Sequence, residues 1–279
     1  MNKPPAPWFL FLAVSLLIGC SKKSPTTVTV VQSKFITAEF LRTSWGGSYA
    51  NVALLSDPAP SAAQCTARAV VAGGHYTLTT KEQRPTGVYW NDYTPFPYPA
   101  TDCSLYVVSN VGSSAGGGVS MPGSYSFLVP IEYDTLPWGD VRVSWTRSLY
   151  AAWYDLDMSC YAESAYRYIG GMDTTLILSD TTVLIPLAYF RRYPTATSVE
   201  ATISLYAHGG AMPAPGGSGN MGGDIRGFFY STYQDPGGNY RRFYMGSPKL
   251  NRETAPPPAI SREKRRQAIL RAFGLSEPD

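Results

Sequence analysis

From Thr26 onward the chain alternates apolar and polar residues with a period of two, interrupted mainly by glycine and proline. That period belongs to strands with one buried face, because successive side chains of a strand point to opposite sides. FITAEFLRTSW (35–45) and SYANVALLS (48–56) predict two strands parted by Gly46-Gly47. QCTARAVVAGGHYTLTT (64–80) predicts a hairpin around Gly73-Gly74. GVYWNDY (87–93), SLYVVSN (104–110), GGVSM (117–121) and SYSFLVP (124–130) complete a first group of seven to nine short strands. Such spacing suits a β-sandwich better than any helical fold.

A second group follows Pro130. DVRVSWTRS (140–148) places Val141, Val143 and Trp145 on one face; AAWYDLDMSC (151–160) and TTLILS (174–179) come next. TTVLIPLAYF (181–190) starts as a strand and breaks at Pro186. TSVEATISLYA (197–207) turns Val199, Ala201, Ile203 and Leu205 inward, and a Gly-rich loop over 209–223 leads to IRGFFYSTYQ (225–234) and YRRFYM (240–245).

The runs Val141–Thr146, Trp153–Asp157 and Val199–Ala207 are similar to the B, C and F strand pattern of fibronectin type III and related immunoglobulin-like domains, over about 130–245. That resemblance implies a core position between two sheets for Trp145 and Tyr154. The segment exceeds the usual module chiefly through 159–173 and 209–224, and the first group shares the grammar without a clear family mark. The expected fold is therefore all-β, with two tandem immunoglobulin-like β-sandwich domains at 34–129 and 130–250. A Pro-rich linker and short amphipathic helix at 251–279 follow: Ser261 caps the helix, Gly274 stops it, and Ile269, Leu270 and Phe273 form its apolar face.

The amino terminus follows a different pattern. Lys3 precedes a run, Trp8 to Ile18, that is apolar apart from Ser15. As a helix it covers about 16 Å, roughly half a hydrocarbon core, so it fits an export signal better than a membrane span. Leu17-Ile18-Gly19-Cys20 resembles the lipobox of bacterial lipoproteins. The resemblance implies cleavage after residue 19 and acylation of Cys20, with 20–33 as a polar tether. Several acyl chains at about 0.8 kcal/mol per buried methylene anchor a protein without a transmembrane helix. Ser21, where an aspartate would signal inner-membrane retention, leans the placement toward the outer membrane, on its periplasmic or surface face.

Composition narrows the partners. Charged residues make up only 15% of the 279, and the formal net charge is +3. Lys3 and a net +2 in 251–279 account for all of it, so 20–250 is neutral. A neutral body lacks the basic face that phosphate neutralisation needs, which argues against nucleic acid. Export into an oxidising compartment opens a Cys65–Cys103 bridge, worth about 3–4 kcal/mol in the loop-closure model, and leaves Cys160 as a buried thiol.

Little in the chain carries chemistry. His75 and His208 read as isolated surface histidines without metal-ligand spacing, and no cofactor or metal is expected. Asp155 and Asp157 point the same way on one strand and read as solvated carboxylates. No phosphate loop occurs, because the glycine clusters lack the Gly-Lys-Ser/Thr ending. One cluster suits a ligand: VYWNDYTPFPYP places Tyr89, Trp90, Tyr93, Phe96 and Tyr98 within ten residues, and exposed rings stack on sugars or anchor interfaces. The expected role is non-catalytic: a lipid-anchored envelope protein with a structural, adhesive or scaffolding function toward envelope or surface proteins. The alternative is a carbohydrate-binding surface lipoprotein that captures glycan through Tyr89–Tyr98.

Overall fold

A computed structural model describes residues 34–56, 59–93, 101–109, 112–164, 167–212, 219–235 and 239–246. The first half supplies β1 (Phe35–Arg42), β2 (Ser48–Leu55), β3 (Thr66–Val71), β4 (Gly74–Leu78), β5 (Lys81–Arg84), β6 (Gly87–Tyr93), β7 (Asp102–Val108) and β8 (Ser114–Ser120). Then come β9 (Phe127–Val129), β10 (Asp134–Leu136), β11 (Val141–Trp145), the long pair β12 (Trp153–Ser164) and β13 (Arg167–Leu178), and β14 (Thr182–Ile185). Pro186 caps the one-turn α1 (Leu187–Phe190), where the sequence pattern breaks. β15 (Ser198–Gly210), β16 (Gly222–Gly223), β17 (Arg226–Tyr233) and β18 (Tyr240–Gly246) close the described chain. The protein is all-β, as the period-two pattern predicts.

In the first half, β5-β6-β2-β1 form one layer and β4-β3-β7-β8 another. Ile36, Phe40, Val52, Leu54 and Trp90 of one layer share a hydrophobic cluster with Ala69, Val71, Leu105 and Val107 of the other. In the second half, β14-β11-β9 is one layer, and β13-β12-β15 continues into β18. Between them Val143 and Trp145 meet Tyr154, Leu156, Met158 and Ile203 in the same cluster. Trp145 and Tyr154 lie edge to face at 5.4 Å, as the strand resemblance implies.

The two halves are laced together by β16 and β17 of the second half. β17 pairs in parallel with all of β1, from Phe35–Arg226 to Arg42–Tyr233, while its far edge pairs with β15. β16 adds to β8. One excursion of the second half thus lies along both β1 and β8, and β5, β6, β2, β1, β17, β15, β12, β13, β18 and β10 belong to one ten-stranded sheet.

The chain between the halves is also tied down. Met121, Pro122 and Gly123 are buried, and Gly123 exchanges hydrogen bonds with the Leu149 carbonyl and the Ser148 hydroxyl. Tyr125 is buried, and its hydroxyl donates to the Leu205 carbonyl. Ser231 donates to Ser120 O at 2.8 Å. Gly209 is needed here, because a Cβ would sit 2.1 Å from the Ser120 carbonyl oxygen. All described residues fall in one compact unit.

The bridge opened by the sequence does not form. Cys103 pairs with Val71, whereas Cys65 lies six residues back along the same neighbouring strand, about 20 Å away at ~3.3 Å per residue. A disulfide needs Cα atoms within about 7 Å, and Cys65, Cys103 and Cys160 are all free and buried. Cys20, Phe96, Tyr98 and the 261–273 helix lie outside the described residues.

Burial pushes the Cys103 and Cys160 thiols up to about 12, and holds the Tyr125 phenol well above its ordinary range. A raised folded-state value means these groups stabilise the fold fully below their unfolded values and lose that contribution as pH climbs toward the folded ones. The urea midpoint is therefore expected to fall steadily between pH 9 and 11. Alkylation without reductant should label Cys65, Cys103 and Cys160 after denaturation, and a Cys65–Cys103 crosslinked peptide by mass spectrometry would contradict the register.

Candidate functional site

Titratable side chains gather where the two halves join. Asp155 on β12, His208 on β15, Thr232 on β17 and Glu39 on β1 stand on one face of four adjacent strands. His208 Nε2 lies 3.1 Å from Asp155 Oδ2, an ion-pair contact without the alignment of a full hydrogen bond. On the other side of the ring, Nδ1 is 3.0 Å from Thr232 Oγ1, and that hydroxyl donates to Glu39 Oε1 at 2.6 Å. Since Thr232 gives its proton to Glu39, it accepts from His208, which places a proton on Nδ1.

The face is polar, yet it is closed. Asp155 and His208 are both 0% exposed, and Thr232 is equally buried. Trp153 stacks on the imidazole at 3.8 Å and 10°, and Tyr230 meets it edge-on at 5.8 Å. Next along β12, Asp157 is only 4% exposed and accepts from Thr175 Oγ1 at 2.6 Å. Strand alternation explains the arrangement: Tyr154, Leu156, Met158 and Cys160 fill the sandwich core, so Trp153, Asp155 and Asp157 project to the opposite face.

Thr232–His208–Asp155 has the connectivity of a hydroxyl nucleophile, an imidazole base and an orienting carboxylate. Its hydroxyl has no solvent access, however, and its proton is committed to Glu39. A nucleophile has to reach a substrate carbonyl, so the geometry suits a structural crosslink better than turnover.

These positions correct the sequence reading of His208, Asp155 and Asp157 as solvated groups. His75 is exposed on β4, as expected. The missed signal was the coincidence of a histidine and a carboxylate on strands that are apolar on their other face; their pairing depends on a register that sequence does not contain. Among the described residues no group of three or more His, Cys, Asp or Glu side chains is placed to hold a metal ion.

The aromatic segment is dispersed. Trp90 is 2% exposed and belongs to the hydrophobic core, while Tyr89 is buried on the opposite face beneath Arg84, 4.5 Å from its ring centre. Of the described rings in this segment only Tyr93, 67% exposed, is presented to solvent, paired edge-on with Tyr49 at 5.8 Å. Tyr89 and Trp90 are thus spent on packing rather than left for a ligand. Among known proteins, the chain matches no family model and no curated relative.

Asp155→Ala and His208→Ala are each expected to cost about 1–3 kcal/mol of stability, because each leaves a buried polar group without its partner. The double variant should cost clearly less than the sum of the two, as read by urea unfolding. Additive losses would mean that the two side chains do not act together.

Proposed function

We propose that this protein is a lipid-anchored envelope scaffold: Cys20 tethers it to the membrane, more plausibly the outer one, and a rigid pair of immunoglobulin-like sandwiches holds a strand edge out to a protein partner. Strand order supports the tandem reading. The layers β1-β2-β6-β5 and β8-β7-β3-β4 run in the A-B-E-D and G-F-C-C′ orders of that family, and β9-β11-β14 with β13-β12-β15-β18 run as A-B-E and C′-C-F-G.

The observation that carries the scaffolding role is β13. Proteins blunt their sheet edges with short strands, charges or bulges, because an open edge recruits further strands. The other edges are shorter: β16 has two residues, β9 and β10 three, β14 four, β4 five, and β5 reads Lys-Glu-Gln-Arg. β13 has twelve residues and pairs only with β12. Tyr193 donates to the Gly171 carbonyl, but from 173 onward no strand lies alongside among the described residues. Thr174 to Leu178 are uncharged and strongly strand-forming. An extended segment of a partner docks there by main-chain hydrogen bonds, with side-chain pockets setting specificity.

Crosslinking in intact envelope followed by purification is expected to recover a reproducible protein partner; Ile177→Lys, which charges the edge, should lose it, whereas Ile177→Ala, which opens the same contact beside Asp155 without adding charge, should keep it. Retention of that partner by Ile177→Lys would remove the edge from the account. Mass spectrometry of the mature amino terminus should find an acylated Cys20, and a free thiol there would remove the anchor.

A further inference from the structure

The outward face of β3, β4 and β7 holds a groove of about 580 Å³, within the size range of small-ligand sites. Cross-strand register lines up its walls: Thr77, Arg68 and Tyr106 form one row, and His75, Val70 and Ser104 the next. Tyr106 continues onto Gly116 of β8, and Ser104 onto Gly118.

Two features make this face more than a solvated sheet. A Cβ on Gly116 would stand 3.0 Å from Tyr106 Cδ1, so the ring lies down across the glycine instead of rising into solvent. Its other side stays open, and Tyr106 is 54% exposed. A tyrosine laid flat on a sheet, bordered by side-chain-free Gly116 and Gly118, is a stacking platform for a flat, partly apolar ring. The second feature is charge. Arg68 is exposed, and among the described residues no carboxylate pairs with it. Asp102, the carboxylate of β7 on this face, accepts from Ser120 Oγ at 2.7 Å. Around the platform stand the hydroxyls of Thr66, Thr77 and Ser104.

We propose that this groove binds an acidic saccharide: Tyr106 stacks beneath the C–H face of a pyranose, Thr77 and Ser104 hydrogen-bond its hydroxyls, and the Arg68 guanidinium holds its carboxylate in a bidentate pair. The assignment goes beyond the scaffolding role, since it uses the opposite half of the molecule and none of β13. It also relocates glycan capture from the Tyr89–Tyr98 segment to a face that the sequence marked only as alternating strands.

The test is calorimetric titration of the full-length protein in detergent with a galacturonic acid oligomer and with an uncharged galactose oligomer of equal length. Wild type should bind the acidic oligomer at least tenfold more tightly than the neutral one. Arg68→Gln should bring binding of the acidic oligomer down to that of the neutral one, and Tyr106→Ala should weaken both by tenfold or more. Both positions are exposed, so both variants should unfold like wild type in urea. No binding of either oligomer, equal binding of the two by wild type, or binding indifferent to Tyr106→Ala would each overturn the assignment.

Discussion

The parallel ladder between β1 and β17 is the constraint on which the rest of the structure depends. Eight consecutive residue pairs fasten a strand from near the end of the described chain to one at its beginning. Such a pairing closes a loop of nearly two hundred residues, and its entropic cost grows only slowly with length. Once made, it aligns the outward faces of β1, β17, β15 and β12, so that Glu39, Thr232, His208 and Asp155 meet on one face. These side chains in turn fix the register, because a slip of one residue would carry every one of these groups to the apolar side.

Rigidity follows from the same source. Tandem domains joined by an exposed linker move freely by default. Here Met121, Pro122, Gly123 and Tyr125 of the connection are buried and hydrogen-bonded on several sides, and β16 and β17 lie against both layers of the first half. In the proposed scaffold, a body held together in this way would carry position from the tether to the far surface without bending.

Much of the fold was legible in the chain. Alternation at 35–56, 64–80, 140–148 and 197–207 marked strands that form, and the inward set Val199, Ala201, Ile203 and Leu205 is buried as read. The core placement of Trp145 and Tyr154 was implied by the resemblance of their strands to the fibronectin type III pattern, and both rings are buried. What escaped was everything set by non-local register. Asp155 and His208 look solvated when each strand is taken alone, since their face is the polar one; only the join with β17 and β1 buries them. The 209–233 segment read as a glycine-rich loop and a strand, and its glycines permit the close approach to Ser120. Trp90 and Tyr93 looked like one cluster because they are near in sequence, but strand geometry sends them to opposite faces.

Native-state hydrogen exchange of the β1 and β17 amides tests the central claim most directly. If the ladder makes the two halves one cooperative body, residues 35–42 and 226–233 will exchange together with the inner amides of β12 and β15, at the free energy of global unfolding. Loss of protection in β17 at low denaturant, with both sandwiches still protected, would mean two independent domains joined by a loosely held strand.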